Sequence, residues 1–205
     1  KMRKRITVHL NQRSEMLSGI SHDLRTPLTR LKLQLTFLKQ QDLAKKMGED
    51  IEEMEKMLNE YLEFSRHQKT EETEVVHVNN VIQDIVNKYE NKIINTNLDD
   101  NLKINIRVNS IKRCLVNLID NGFSYGKKVE ILTKKTINNI IILVDDDGPG
   151  IPENEYENVM KPFYRIDKSR GQNKSGVGLG LSIANDIIRS HGGNILLEKS
   201  PLNGL

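Results

Sequence analysis

The chain has 205 residues, 37% apolar and 29% charged, a composition that buries a core and accommodates one ordinary domain with a smaller one beside it. Its 31 basic and 28 acidic residues leave a net charge of +3, too even a balance to argue for nucleic acid or a membrane surface as partner. One cysteine, Cys114, excludes an internal disulfide and a clustered-thiol metal site.

From about Lys4 to Arg66 the apolar residues keep helical spacing. Leu17, Ile20, Leu24, Leu28, Leu31, Leu35 and Leu38 form one seam, and Leu43, Met47, Ile51, Met54, Leu58 and Tyr61 a second. The break between Gln40 and Asp42 is short, so the two helices are expected to fold back as an antiparallel hairpin. A single hairpin buries little area, and two copies joined in a four-helix bundle solve that problem, which predicts a homodimer. After the polar stretch RHQKTEETE the period changes to strands alternating with helices. Strands are expected at 75–78, 103–108, 128–135, 139–145 and 194–199, and helices at 80–90, 111–123, 153–160 and 179–191. The fold class is α+β: a helical domain over residues 1–67, a linker over 68–74, and an α/β sandwich over 75–205 with its helices on one face. Cys114 falls at helical spacing with Ile111, Leu115 and Leu118 and reads as core filler. No apolar run approaches the roughly 18 residues of a membrane helix, and no signal-peptide pattern is present. The sequence starts inside a charged helical pattern and stops just after a strand pattern, so it reads as a soluble piece of a longer protein whose anchor lies elsewhere.

In GISHDLRTPLTRL the seam uses Ile20, Leu24 and Leu28. His22 lies about 200° of helical rotation from Ile20 and from Leu24, so it faces water. A solvated surface histidine is the ordinary explanation. Two neighbours point to chemistry instead: Asp23 sets a carboxylate beside the imidazole, able to orient the ring and accept a proton, and Pro27 bends the helix at a cost of about 3 kcal/mol. SHDLRTPL resembles the H box of histidine kinases, and SHDLRTPLTRL is locally similar to the enterobacterial osmosensing subfamily. By that resemblance His22 is the phosphoacceptor, Asp23 its acid/base partner, and Thr26 the residue that positions water when a partner regulator is dephosphorylated.

No GxxxxGK[ST] occurs, which excludes a Walker-type site. Glycines cluster twice. In VDDDGPGIP Asp146 continues the alternation of Ile140, Ile142 and Val144 before a Gly-Pro-Gly turn. A carboxylate in that position needs a donor, which the exocyclic amine of adenine supplies; an acidic turn is the plain alternative. In GVGLGLSIANDII Gly176, Gly178 and Gly180 open an apolar-periodic helix, an arrangement suited to phosphates at a helix N-terminus. In RCLVNLIDNGFSYG Asn117 and Asn121 are one turn apart. They are either solvated surface or a source of amide oxygen for Mg2+ and hydrogen bonds for phosphate.

In order, these segments resemble the N box, G1 box, F box (KPFYRID) and G2 box of the histidine-kinase catalytic domain, within the gyrase, chaperone, kinase and MutL superfamily that shares the Bergerat ATP-binding fold. The resemblance implies ATP and Mg2+ as cofactors. It makes Asn117 the Mg2+ ligand, Asn121 a phosphate contact and Tyr125 a neighbour of adenine, whose amine Asp146 reads. Gly148 and Gly150 form the turn beneath the base, Arg165 reaches the γ-phosphate, Gly176, Gly178 and Gly180 line the phosphates, and residues 161–175 form a closing lid. Relatives often carry Lys or Arg where Ser124 stands and Thr or Ser where Val177 stands, and the last strand expected beside 194–199 is absent. The implied activity is ATP-dependent autophosphorylation on His22 and transfer to the aspartate of a response regulator, with possible phosphatase activity. The implied setting is the cytoplasmic portion of a bacterial inner-membrane protein. The competing readings are an ATP-binding regulator of the same superfamily without a phosphoacceptor, such as an anti-sigma kinase acting on a partner serine, and a dimeric scaffold carrying an inactive nucleotide fold.

Overall fold

The computed structural model describes residues 27–37, 40–66, 71–100, 102–137, 139–166 and 178–205. The chain divides into two compact units, Lys1–Thr70 and Glu71–Leu205.

In the first unit, helix α1 covers residues 27–35 and α2 runs Gln41–Arg66. Lys32 donates to Glu55 at 2.8 Å and lies 3.8 Å from Glu52, while Leu35 approaches Gly48. As α1 advances its partners on α2 retreat, so the two helices form the expected antiparallel hairpin. Leu28 and Ile51 are buried between them, whereas Leu31, Leu43, Met47 and Met54 of the same seams are exposed in the single chain. Pro27 opens the described part of α1. The bend expected there, and His22, Asp23 and Thr26, lie outside the described residues.

The second unit begins with β1 (Glu74–His77), α3 (Val78–Val86), β2 (Ile93–Asn97) and β3 (Lys103–Ile106). Then come α4 (Val108–Tyr125), β4 (Lys128–Lys135), β5 (Ile140–Asp146), a 3-10 turn at Glu153–Glu155, the single turn α5 (Tyr156–Val159) and α6 (Gly180–Ser190). β1 pairs antiparallel with β3. A three-stranded sheet has the order β2-β4-β5, with β2 parallel to β4 and β4 antiparallel to β5. β4 shows why: KVEILTKK alternates, with Val129, Ile131 and Thr133 buried, the period-2 pattern of a sheet with one covered face. Val129 and Ile131 join a core with Val81, Ile82 and Ile85 of α3 and Ile111, Leu115 and Ile119 of α4, against which Ile187 and Ile188 of α6 pack. The helices therefore cover one face of the sheet, as expected.

Three expectations are corrected. Residues 194–199 form no strand. Ile195 and Leu197 are half-buried and Leu196 exposed, so the alternation is real, but alternation alone makes no ladder. The place beside the end of β5 is taken by the last residues instead: the Asp146 N–H donates to the Leu205 carbonyl at 3.0 Å, and the Gly204 N–H to the Asp146 carbonyl at 3.2 Å. Conversely, Ile93–Asn97 is a strand that the sequence did not announce. Its IINTN turns only Ile94 partly inward, and it holds its place through parallel pairing with β4. The helix expected over 80–90 is displaced to Val78–Val86, because the Val78 N–H is taken by the Leu102 carbonyl at 2.9 Å and the chain must turn before entering β2. The helix expected over 153–160 is a 3-10 turn followed by α5.

Candidate functional site

The last three turns of α4, the end of β5 and the start of α6 carry the candidate residues. Asn117, Asn121 and Tyr125 recur every fourth position along α4, so they share one stripe. The opposite stripe, Ile111, Cys114, Leu115 and Ile119, is buried. Cys114 is 1% exposed and its thiol lies 3.8 Å from the Ala184 carbonyl of α6. Burial pushes that thiol up to about 12, as befits core filler.

Gly122 sets the distance between α4 and the sheet. A methyl at that position would stand 2.9 Å from a Val129 methyl and 3.3 Å from Asp146 Cβ. The helix thus lies close enough to the sheet for Asp146 to reach the Asn121 and Tyr125 end of α4. Gly122→Val is expected to force these elements apart and to cost about 1–3 kcal/mol. Urea denaturation of the variant beside the wild-type chain measures that loss, and an unchanged midpoint would mean that the contact yields freely.

Asp146 ends β5 half-buried. Burial raises its carboxyl above the usual range, opposed by backbone hydrogen bonds from Gly148 and Leu205. Its Oδ1 accepts the Gly148 N–H at 2.8 Å. Asp147 faces the other way and accepts the N–H groups of Lys127 and Lys128 at 2.6 and 2.8 Å; these bonds hold its carboxyl below the ordinary value. Asp147 therefore fixes the turn after α4. Tyr125 is 42% exposed, and a side chain on Gly148 would come 3.2 Å from its Cβ, so tyrosine and glycine turn are neighbours. Gly150 has φ of 71°, a left-handed conformation that glycine adopts without strain.

On the α6 side, Gly178 has φ of 76°, and a Cβ there would stand 2.8 Å from the Tyr164 carbonyl and 3.3 Å from Arg165 Cγ. The Phe163 N–H donates to the Gly178 carbonyl at 2.9 Å. Gly180 opens α6 with room for only 3.9 Å between its missing Cβ and Asn117. The structure thus brings Asn117, Gly178, Gly180 and Arg165 into a chain of neighbours, and Tyr125, Asp146 and Gly148 into another at the far end of the α4 stripe. Gly176 and Val177 lie outside the described residues, as does the expected lid beyond Ile166. Ser124 donates its hydroxyl to the Asp120 carbonyl at 2.8 Å, a local back-bond.

The Asn117 amide nitrogen is buried and has no hydrogen-bond partner among the described residues. Such a group costs about 1–3 kcal/mol unless something accepts from it. A phosphate oxygen has the required chemistry. No cluster of three or more His, Cys, Asp or Glu side chains able to hold a metal occurs among the described residues.

Sequence reasoning passed over Gly122, Asp147 and the pair Glu155 and Tyr164. A glycine inside an apolar-periodic helix was the available signal for Gly122. Nothing in the pattern pointed to Glu155, which accepts from Tyr164 Oη at 2.6 Å and from Asn158 Nδ2 at 3.1 Å and so steadies the segment leading to Arg165. The bond to Glu155 raises the Tyr164 hydroxyl and lowers the Glu155 carboxyl.

Residues 12–70 match the His Kinase A (phospho-acceptor) domain, and residues 106–205 match the histidine kinase-, DNA gyrase B- and HSP90-like ATPase domain. The sensor histidine kinase GtrS of Pseudomonas aeruginosa is 35% identical over 100% of this chain and 43% of its own length. The sensor histidine kinase CpxA of Escherichia coli K12 is 32% identical over 96% of this chain and 46% of its own. The chain therefore spans less than half the length of these relatives. Full-length ShkA, crystallised with AMPPNP, superposes with a TM-score of 0.66 over 90% of this chain and 43% of its own at 18% identity, a likeness of fold. With a phospho-acceptor segment ahead of an ATPase segment, and full-chain likeness to GtrS and CpxA, the chain belongs to the sensor histidine kinases of two-component systems.

Proposed function

We propose that this chain binds ATP between α4, the Asp146 turn and the start of α6, transfers the γ-phosphoryl group to His22, and passes it to an aspartate of a response regulator. The observation that carries the reading is the buried Asn117 amide nitrogen, without a hydrogen-bond partner among the described residues, on the same α4 stripe as Asn121 and Tyr125 and beside Gly180. Phosphates at the α6 N-terminus satisfy the amide and meet the positive end of the helix dipole. Asn121 adds a phosphate hydrogen bond, Tyr125 lies along the adenine, and the adenine amine donates to Asp146. Mg2+ held by the Asn117 amide oxygen and by phosphate would neutralise charge on the transferring group.

In the transfer, one imidazole nitrogen of His22 attacks the γ-phosphorus, ADP leaves, and Asp23 accepts the proton from the other nitrogen. Arg165 stabilises the charge on the γ-phosphoryl oxygens. The aspartate carboxylate of the regulator then takes the phosphoryl group and His22 is restored. The domain limits 1–67, 68–74 and 75–205 suit this division of labour, with the acceptor and the nucleotide on separate units. Exposed Leu31, Leu43, Met47 and Met54 favour a homodimer in which a second copy covers the seam. A superfamily regulator without an acceptor has no use for the matched phospho-acceptor segment, so that alternative is not favoured. Label from γ-labelled ATP tests the proposal: acid-labile, base-stable incorporation supports it, and its absence from the wild-type chain would overturn it.

Thr26 stands four positions after His22 in the sequence, the spacing of one turn in a helix. Thr26→Ala is expected to keep autophosphorylation while slowing the loss of phosphate from the regulator several-fold, because its hydroxyl holds water in line with the phosphoaspartate. Parallel assays of the two reactions check this. An equal fall in both would reduce Thr26 to a structural residue that bonds back to a helix carbonyl.

A further inference from the structure

Helix α4 starts without local help. Its N-cap, Arg107, makes no side-chain capping bond, and its first turn holds no acidic residue, so the amides exposed at its N-terminus need an acceptor from elsewhere. Glu71 supplies it. Oε1 accepts the Asn109 N–H at 2.5 Å, and Oε2 accepts the Ser110 N–H at 3.0 Å and the Ser110 hydroxyl at 2.7 Å. Both carboxylate oxygens are engaged, at the positive end of the helix dipole. Arg107 adds its charge beside Glu71 and bonds onward to Ser190 at the end of α6, donating to its carbonyl at 3.3 Å and its hydroxyl at 2.5 Å. The Arg107 N–H also donates to His191 Nε2 at 3.2 Å. Burial pushes the Glu71 carboxyl up, but the bonds from Ser110 and Asn109 and the charge of Arg107 outweigh it and leave it below the ordinary value.

The place of Glu71 in the chain gives these contacts a consequence. It is the first residue of the second unit, and residues 71–73 have no regular structure before β1 begins at Glu74. α4, held at its start by Glu71, carries Asn117 and Asn121 further along the same helix. We propose that Glu71 is a positioning residue for phosphoryl transfer: its carboxylate clamps the chain arriving from the phospho-acceptor unit onto the N-terminus of the helix that grips ATP. The clamp sets the length of the tether between His22 and the nucleotide. Releasing it frees residues 71–73 and dilutes the catalytic site around the histidine, since the effective concentration of tethered groups depends on the connection between them. The inference rests on the autokinase reading of the site.

The test uses the full chain with Glu71→Ala, and Glu71→Gln as a second variant that keeps the shape and one acceptor. Three quantities are compared with the wild-type chain: the Kd for ATP, the autophosphorylation rate at saturating ATP, and hydrogen exchange at the Asn109 and Ser110 amides. The expected result is faster exchange at those two amides, a Kd within twofold of wild type, and a rate at saturating ATP lowered about fivefold or more, with Glu71→Gln between wild type and Glu71→Ala. An unchanged rate in both variants overturns the proposal. So does a loss of ATP affinity that accounts for the fall in rate, because a purely structural cap acts that way. A wild-type chain that incorporates no acid-labile phosphate is a different result: it overturns the autokinase reading, and the positioning role falls with it.

Discussion

His22→Ala is expected to abolish acid-labile phosphate incorporation while leaving the Kd for ATP within about twofold of wild type. The two halves of this expectation have separate grounds. Incorporation is lost outright because methyl offers no nitrogen to attack phosphorus, and no neighbour in SHDLRTPL can replace it: Asp23 would yield an acyl phosphate, which base destroys, and Ser21 or Thr26 a phosphoester, which acid spares. Affinity is kept because the residues proposed to hold ATP, Asn117, Asn121, Tyr125, Asp146 and the α6 glycines, all fall within the matched ATPase segment 106–205, whereas His22 falls within the phospho-acceptor segment 12–70. Nucleotide titration and an acid- and base-stability assay on one preparation measure both. Acid-labile, base-stable label that persists in the variant would move the acceptor to another histidine. A collapse of ATP affinity would mean that the two units do not work as separable parts.

The fold was legible wherever burial on one face imposed a period. KVEILTKK could only be a strand with Val129 and Ile131 inward, and the buried stripe of α4 follows from Ile111, Leu115 and Ile119 recurring by threes and fours. Ile93–Asn97 was not legible, because four of its five residues are exposed and backbone pairing, to which every side chain is indifferent, decides its place. Residues 194–199 failed in the opposite sense. Their alternation survives as half-burial of Ile195 and Leu197, yet a strand is a relation between two segments, and pattern within one cannot supply the second. At the candidate site, motif order proposed Asp146, Asn117 and the glycines. It could not announce the close contact at Gly122 or the three bonds that Glu71 makes with residues 38 and 39 positions away, since these are products of tertiary packing.

Asp146→Asn is expected to weaken ATP binding by about 1–3 kcal/mol, roughly 5- to 150-fold in Kd, without weakening the fold. The geometry fixes which atom fails. Asp146 Oδ1 already accepts the Gly148 N–H at 2.8 Å, and an asparagine keeps that bond by placing its amide oxygen there. Its NH2 group then stands where Oδ2 stood and presents a donor to the adenine amine, itself a donor, so a favourable contact becomes a repulsive one. Stability moves differently. The folded Asp146 carboxyl is raised by burial above its value in the unfolded chain. The stability linked to its neutral form is therefore fully present below the unfolded value and is lost as pH rises through the folded one. A neutral amide carries no such loss, so near neutral pH the variant should unfold at the same denaturant concentration as wild type or a higher one. Acidification should imitate the substitution: wild-type affinity for ATP falls as Asp146 takes up its proton, starting at a higher pH than an ordinary aspartate allows, while the affinity of the variant changes less over the same interval. Isothermal titration with ATP across that range, beside urea denaturation of both proteins, reads all of these effects. Unaltered affinity in a folded variant would show that the base is read elsewhere, and a variant that loses affinity only by unfolding would leave Asp146 a structural carboxylate at the end of β5.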